Sequence, residues 1–357
     1  MSALRTAISR LETASYVVMH DVPAIVAGHV MGSGSSIVQS FEGRPRKGGA
    51  VAVFAAFPGN GLHLNHVQLL DALNAAGVDV VVVSNATVSE TVREAVCGKC
   101  IKLIFRANRG RDFGAYKDGV LSVLRDGIPD RLLLLNDSCF YDPANTGRLI
   151  EGLLGPEPYI ASNENFAPYY HATSFAMSFS RTVADSRAFR DFWRNYVPVN
   201  ARNWAIKRGE LSLSVALLRA GYVPKILFNW AAFLDRHAEI AQSEWQKIAD
   251  LLPRRAIALA NGAAGRRYWP DPQLTPKEYV SELLGSHSQA HFGAFVFAKY
   301  LNSPIIKRDL LVRGVYGIGQ MHELARSFPE AGLVVDEFKV RRRLGPVSRR
   351  MFAKGFI

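Results

Sequence analysis

From Val51 onward the chain alternates short β-branched or aliphatic runs with amphipathic helical stretches, and this alternation restricts the possible folds more than any other feature. The runs are Val51 to Phe57, Val78 to Val83, Ile101 to Arg106 and Arg131 to Leu135. Each is apolar almost throughout, as strands buried on both faces of a parallel sheet are. Between them, His66 to Ala76 places Val67, Leu69, Leu70 and Leu73 at helical spacing and stops at Gly77, and Ser89 to Val96 supplies a second, shorter helix. The pattern predicts an α/β, Rossmann-like fold: a mixed, mostly parallel sheet flanked by helices, with right-handed crossovers.

Open sheets of this class bind ligands beyond the carboxyl ends of their strands. Here those ends are turns rich in Gly, Asn and Ser: Pro58-Gly59-Asn60-Gly61, Ser84-Asn85-Ala86-Thr87 and Asn136-Asp137-Ser138. They predict one nucleotide-sized crevice, with Asp137 delivered to it by the strand ending at Leu135. No GxGxxG or GxxxxGK[ST] follows any strand, which removes the usual support for hydride transfer and for ATP hydrolysis.

After the third strand comes Asn108-Arg109-Gly110-Arg111-Asp112-Phe113-Gly114-Ala115-Tyr116. Asp112 is a good residue to cap the helix that follows. Arg109 and Arg111 can pair with a diphosphate, assisted by the positive helix N-terminus. A plain cap and a surface ion pair are the bland alternatives for Asp112 and Arg109. Further on, Asp185 to Tyr196 reads as a helix with Phe189, Phe192 and Trp193 on one side, and Gly209-Glu210 opens the helical run Leu211 to Tyr222. A carboxylate in a first turn favours the helix dipole, so capping alone would also account for Glu210.

Formal charge is +12, from 43 Lys and Arg against 31 Asp and Glu, which favours anionic partners. Seven of the positive charges, Lys339, Arg341, Arg342, Arg343, Arg349, Arg350 and Lys354, lie in a tail without an acidic residue. They alternate with Leu344, Val347, Met351, Phe352 and Phe356, a mixture suited to an anionic membrane surface and equally to a solvated tail. Nucleic acid is not expected, because no RNP, helix-turn-helix or zinc-finger pattern occurs. Only three cysteines are present, which fits a reducing cytoplasm, and Cys97-Gly-Lys-Cys100 lacks the second pair a zinc site needs. No apolar run reaches the roughly 18 residues of a spanning helix. These features predict a cytoplasmic protein, peripheral at most on the inner face of the membrane. The Gly/Ser-rich connector before Val51 suggests a domain boundary, giving an N-terminal extension over 1–47, an α/β domain over 48–235, a helical C-terminal region over 236–338 packing on it, and the basic tail over 339–357. Residues early in the extension either cap the α/β domain or lie on a membrane.

Four blocks, taken in order, resemble the rhamnan synthesis protein F family of bacterial glycosyltransferases, which are similar to the GT-A fold. The blocks are Asn108 to Gly119 (NRGRDFGAYKDG), Leu132 to Ser138 (LLLLNDS), Gly209 to Ser214 with Arg219 to Tyr222, and Ser303 to Leu311 (SPIIKRDLL). Coverage is roughly residues 50 to 315. The resemblance implies a nucleoside-diphosphate sugar donor, inversion at the anomeric carbon, and a glycan or polyprenyl-linked glycan acceptor in surface polysaccharide assembly, with rhamnose or a related deoxyhexose transferred. It places Asn108, Arg109, Arg111, Asp112, Asn136 and Ser138 around the donor, Asp137 at the diphosphate or its metal, and Glu210 as catalytic base. His171 and Ser174 fall on the acceptor side, where a hydrogen-bonded core histidine is the alternative reading. The family's neighbours carry two carboxylates at the strand end; here Asp137 stands between neutral Asn136 and Ser138, so Mg2+ or Mn2+ would rest on one carboxylate and the diphosphate oxygens.

Overall fold

The computed structural model describes residues 17–57, 62–166, 169–237, 239–253, 275–286, 288–310, 316, 318–327 and 329. The Pro58 to Gly61 turn, the first 16 residues, the Ala/Gly-rich stretch with Tyr268-Trp269-Pro270, Leu311 of the fourth block and the basic tail lie outside the described residues.

In chain order the strands are β1 (Ile37–Glu42), β2 (Ala50–Ala56), β3 (Asp79–Ser84), β4 (Lys102–Arg106), β5 (Arg131–Asn136), β6 (Cys139–Tyr141), β7 (Tyr159–Ala161), β8 (Glu164–Asn165), β9 (His171–Ala172), β10 (Ala176–Ser180), β11 (Lys225–Ile226) and β12 (Ile305–Lys307). Eight of them form one sheet in the order β1-β4-β3-β2-β5-β10-β7-β11. The four strands read from sequence are all present, and β4, β3, β2 and β5 are mutually parallel. β10 lies antiparallel between β5 and β7, so the sheet is mixed, as expected. The chain leaves β2 for β3 on one side and returns to β5 on the other. The gap between the carboxyl ends of β2 and β5 is therefore the topological switch point, where α/β sheets open a crevice.

Alternation along the strands divides the core in two. Phe54, Val82 and Leu133 face one layer, with α2 (Leu64–Ala75), α3 (Glu90–Cys97) and α5 (Pro143–Leu153). Val53, Val83 and Leu132 face the other, with α4 (Arg111–Asp126), α7 (Arg187–Asn195) and α8 (Ser212–Arg219). The helices α1 (Val22–Met31) and α6 (Arg181–Asp185) complete this part. Phe233, Trp245, Ile248, Val280, Leu283 and Phe297 of the C-terminal helices join the first layer, so that region shares the core of the α/β sheet. β12 then pairs antiparallel with β6, which sets Lys307 opposite Cys139.

Two stretches differ in detail from the sequence pattern. Within the Gly/Ser-rich connector, Ile37 to Glu42 pair with β4 at the sheet edge, and Phe41 packs edge-on against Phe105 at 5.4 Å. Behind it, the buried Asp79 carboxylate accepts the N–H groups of Lys47 and Gly48, both at 2.8 Å, and Arg44 Nη1 at 2.7 Å. The helix read over Asp185 to Tyr196 is two helices broken at Ser186, whose hydroxyl caps the Phe189 N–H.

Candidate active site

β5 ends at the switch point in Asn136-Asp137-Ser138, and side-chain hydrogen bonds tie this corner down. The Asp137 N–H donates to Ala55 O at 3.0 Å, and Asp137 Oδ2 accepts the Phe57 N–H at 2.7 Å, so one residue joins the ends of β2 and β5. Asn136 is 2% exposed. Its Oδ1 accepts both the N–H and the hydroxyl of Ser138, and its Nδ2 donates to Asp112 Oδ2 at 3.1 Å. Asn136 thus orients the first carboxylate of α4 beside that of Asp137. Burial pushes the Asp137 carboxyl up to about 6; the Phe57 N–H opposes the shift, the Asp112 charge adds to it and Arg308 opposes it. Asp112 is raised as well, chiefly by burial and further by Glu210, against Lys307 and Arg111.

The first block, Asn108 to Gly119, turns out to be mostly framework. The cap position of α4 belongs to Gly110, in the left-handed region at φ +79, and Asp112 makes no cap. A side chain at Gly110 would also strike Pro198. Asn200 clasps this loop, accepting the Gly110 N–H at 2.6 Å and donating to Asn108 O at 2.8 Å, and the Asn108 side chain is exposed. Arg109 points away from the crevice, its Nη2 donating to Gly28 O at 3.0 Å and to Gly32 O, which satisfies the carboxyl end of α1. Arg106 and Asp118 form a buried pair at 2.7 Å. Lys117 donates to Arg194 O and Tyr196 O at 2.9 and 2.7 Å, and burial lowers its pKa to about 8. Gly119 lets α4 lie directly on Val53 and Val83. Asp112 and the exposed Arg111, itself at φ +53, are the residues of this block near the carboxylates.

Glu210 lies within a π-helical turn, Ala205–Leu211, that runs on into α8. It is therefore not in a first helical turn, and the dipole explanation is withdrawn. Single π turns widen the helix locally and re-aim a side chain. Gly209 permits this one, because a Cβ there would stand 2.6 Å from the Phe113 ring. Glu210 Oε1 accepts the Ser174 N–H at 2.6 Å, and Oε2 stands 3.7 Å from His171 Nε2. His171 is 1% exposed, with Nδ1 2.7 Å from Tyr169 O. A carbonyl only accepts, so Nδ1 carries the hydrogen and Nε2 is the nitrogen turned to the carboxylate. Ser174 meets Glu210 through its backbone N–H, and its carbonyl accepts the Tyr116 hydroxyl at 2.9 Å.

Two residues that the sequence reading left without a role complete the corner. Lys307 Nζ donates to Ser138 Oγ at 2.9 Å and sits 4.5 Å from the centre of the Phe175 ring. Arg308 Nη1 donates to Asp137 O at 3.2 Å, with its guanidinium over Phe140. Both belong to the fourth block and arrive by the β12–β6 pairing; their appearance in a recurring block was the available signal.

Among the described residues no group of three or more His, Cys, Asp or Glu side chains is arranged to hold a metal ion. Asp112, whose charge adds to the upward shift of Asp137, nonetheless makes with it a carboxylate pair whose repulsion a divalent cation relieves. This donor set fits Mg2+ or Mn2+ as a partner shared with phosphate oxygens and water, the usual arrangement for a metal bound by one or two carboxylates.

Residues 80–252 match the model of the rhamnan synthesis protein F family, which bears out over those residues the resemblance carried by the blocks. An uncharacterized protein, y4gN, from Sinorhizobium fredii is 28% identical over 285 residues, covering 75% of this chain and 73% of that protein. Among solved structures, a candidate nucleotide-diphospho-sugar transferase from Desulfovibrio desulfuricans is similar at 13% identity with a TM-score of 0.32, covering 54% of this chain and 88% of that one. A mannosyltransferase from Pyrobaculum calidifontis, in complex with GDP-Man and Mn2+, is similar at 12% identity with a TM-score of 0.31, covering 98% of this chain and 97% of that one. At such scores neither structural likeness carries an argument.

Proposed function

We propose that the chain is an inverting glycosyltransferase of the GT-A kind, moving rhamnose or a related deoxyhexose from a nucleoside-diphosphate sugar to a growing bacterial surface polysaccharide. The observation that carries the reading is Asp137 at the switch point of a mixed α/β sheet, with the Asp112 carboxylate beside it, Glu210 near Asp112, and two cations behind it. Membership of residues 80–252 in the family match supports the polysaccharide context.

In this reading the acceptor hydroxyl oxygen attacks the anomeric carbon. The carbon–oxygen bond to the diphosphate breaks, and its electron pair leaves with the nucleoside diphosphate. The hydroxyl proton passes to Glu210, whose Oε1 is held by the Ser174 N–H so that Oε2 is the basic atom. His171 Nε2 stands 3.7 Å from Oε2, and general-base help from the carboxylate is worth about two to four orders of magnitude in rate. A divalent cation, held by Asp137 and Asp112 together with the diphosphate, supplies charge neutralisation when bound.

A second reading, a protein that binds sugar nucleotides without turnover, draws on Asn136 and Ser138 standing beside the single carboxylate of the strand end. One experiment separates the two. A panel of nucleoside-diphosphate sugars, including deoxyhexose donors, is screened for raised melting temperature with and without Mg2+ or Mn2+, and the binders are assayed for release of nucleoside diphosphate. Binding with release supports transfer, binding without release supports the second reading, and no binding by any donor overturns both.

For the acceptor, an anionic membrane surface fits the basic tail, and the exposed apolar side chains Val22, Val26, Val30 and Met31 of α1 support the same reading. No helix among the described residues is long and apolar enough to cross a membrane.

A further inference from the structure

Positive charge for a leaving diphosphate was expected from Arg109 and Arg111, yet Arg109 is spent on the carbonyls of Gly28 and Gly32. Arg111 is exposed at the start of α4. The cations that do face the carboxylate corner come from about 170 residues further along the chain. We infer that Lys307 and Arg308, carried in on β12, form the diphosphate-binding site of the donor and stabilise the diphosphate as it leaves. The inference rests on the donor reading above and deepens it by naming the groups that meet the phosphates.

Three independent features support it. First, the position is built: Lys307 is set by the pairing of Ile305, Ile306 and Lys307 with Tyr141, Phe140 and Cys139, and Arg308 N–H is fixed by Ser138 O at 2.9 Å. Both cations are therefore held on the same turn as Asp137, with little conformational freedom left to lose on binding. Second, among the described residues neither side chain is committed to a carboxylate hydrogen bond. Lys307 gives one of its three N–H bonds to a hydroxyl and rests on the Phe175 ring, and Arg308 gives Nη1 to a main-chain carbonyl while lying over Phe140. A structural ion pair would have a carboxylate in those places. Third, Lys307 stays a cation: burial works against its charge, but Cys139, Asp309, Asp112 and Glu210 together hold its pKa above the ordinary value. An ammonium on one side and a planar guanidinium on the other suit a diphosphate, which offers a point charge and a pair of oxygens. When the anomeric carbon–oxygen bond breaks, the new charge on the diphosphate develops against these fixed cations, while the acceptor proton goes to Glu210.

The test measures binding of UDP, dTDP and inorganic pyrophosphate by calorimetry to the wild-type protein and to Lys307→Met, Lys307→Arg, Arg308→Gln and Arg109→Gln, with melting temperatures for each. Loss of a charge-assisted contact corresponds to about tenfold to hundredfold weaker binding. The expected result is that Arg308→Gln and Lys307→Met weaken both a nucleoside diphosphate and pyrophosphate by that factor, and Lys307→Arg recovers part of it. Arg109→Gln lowers the melting temperature and leaves affinity unchanged. Pyrophosphate lacks base and sugar, so its parallel loss assigns the effect to the phosphates. If Lys307→Met does not fold, Arg308→Gln decides alone. Wild-type affinity retained in Arg308→Gln overturns the inference and leaves the donor reading standing; a wild-type protein that binds none of the three probes overturns the donor reading itself.

Discussion

Asp137 and Glu210 are both acidic, but their surroundings give them different tasks and different measurable signatures. Asp137 lies among buried backbone at the strand ends, and its folded pKa of about 6 exceeds the ordinary 3.8. The folded protein therefore holds a proton that the unfolded chain releases between those values, so native stability falls as pH rises through that window. The full shift corresponds to about 3 kcal/mol at most. Asp137→Asn keeps an acceptor for the Phe57 N–H, and we expect it to melt higher than the wild type at pH 7.5, with the difference vanishing near pH 4, while donor binding is lost. Equal melting curves for the two proteins at both pH values would contradict the burial argument. Glu210→Gln keeps the bond to the Ser174 N–H and removes the basic atom. Its expected signature is a kcat lower by about two to four orders of magnitude with nucleoside diphosphate affinity unchanged, and near-normal turnover would remove Glu210 from the mechanism.

At the scale of the element, α4 shows how a recurring block can be framework first and site second. Its glycines and charged residues fix where the helix lies. Gly119 rests on Val53 and Val83 of the sheet, Asp118 pairs with Arg106, and Lys117 reaches the carboxyl end of α7. A methyl group at Gly119 has no space, so Gly119→Ala is expected to cost about 1 to 3 kcal/mol, read as a lower midpoint in urea. An unchanged midpoint would mean that the helix moves freely off the sheet. Asp112 stands on the same helix, so donor affinity is expected to fall with stability. β12 is only three residues long: Ile305 and Ile306 anchor it in the core, and the strand delivers Lys307 and Arg308 to the carboxylate corner.

For the molecule as a whole, the C-terminal helices and the sheet share one hydrophobic cluster, and β12 closes onto β6, so the carboxylate corner is assembled from the two ends of the fold. The basic tail beyond it and the exposed apolar face of α1 bear on where the protein works. Truncation after Phe338 is expected to abolish co-sedimentation with anionic vesicles at low salt, and Val26→Glu with Val30→Glu to weaken it. A wild-type protein that does not co-sediment would sink the membrane reading, and vesicle binding that survives both changes and is insensitive to salt would remove the tail and α1 from it.

How far the chain announced all this depends on the range of the interaction concerned. The buried strands and the position of Asp137 were legible because burial on both faces imposes continuous apolar runs and because a polar turn must end them. The π turn at Glu210, the strand hidden in the Gly/Ser-rich connector, and the service of Arg109 to the carbonyls of α1 were not legible, since each depends on a partner 36 to 77 or more residues away. Sequence alone determined the α/β layering and which strand ends carry acid, because those follow from local periodicity. Only the tertiary structure decided which cations stand beside the acid, because an arginine near in sequence was drawn to the carbonyls of Gly28 and Gly32 while Lys307 and Arg308 were brought in by β12 from the far end of the chain.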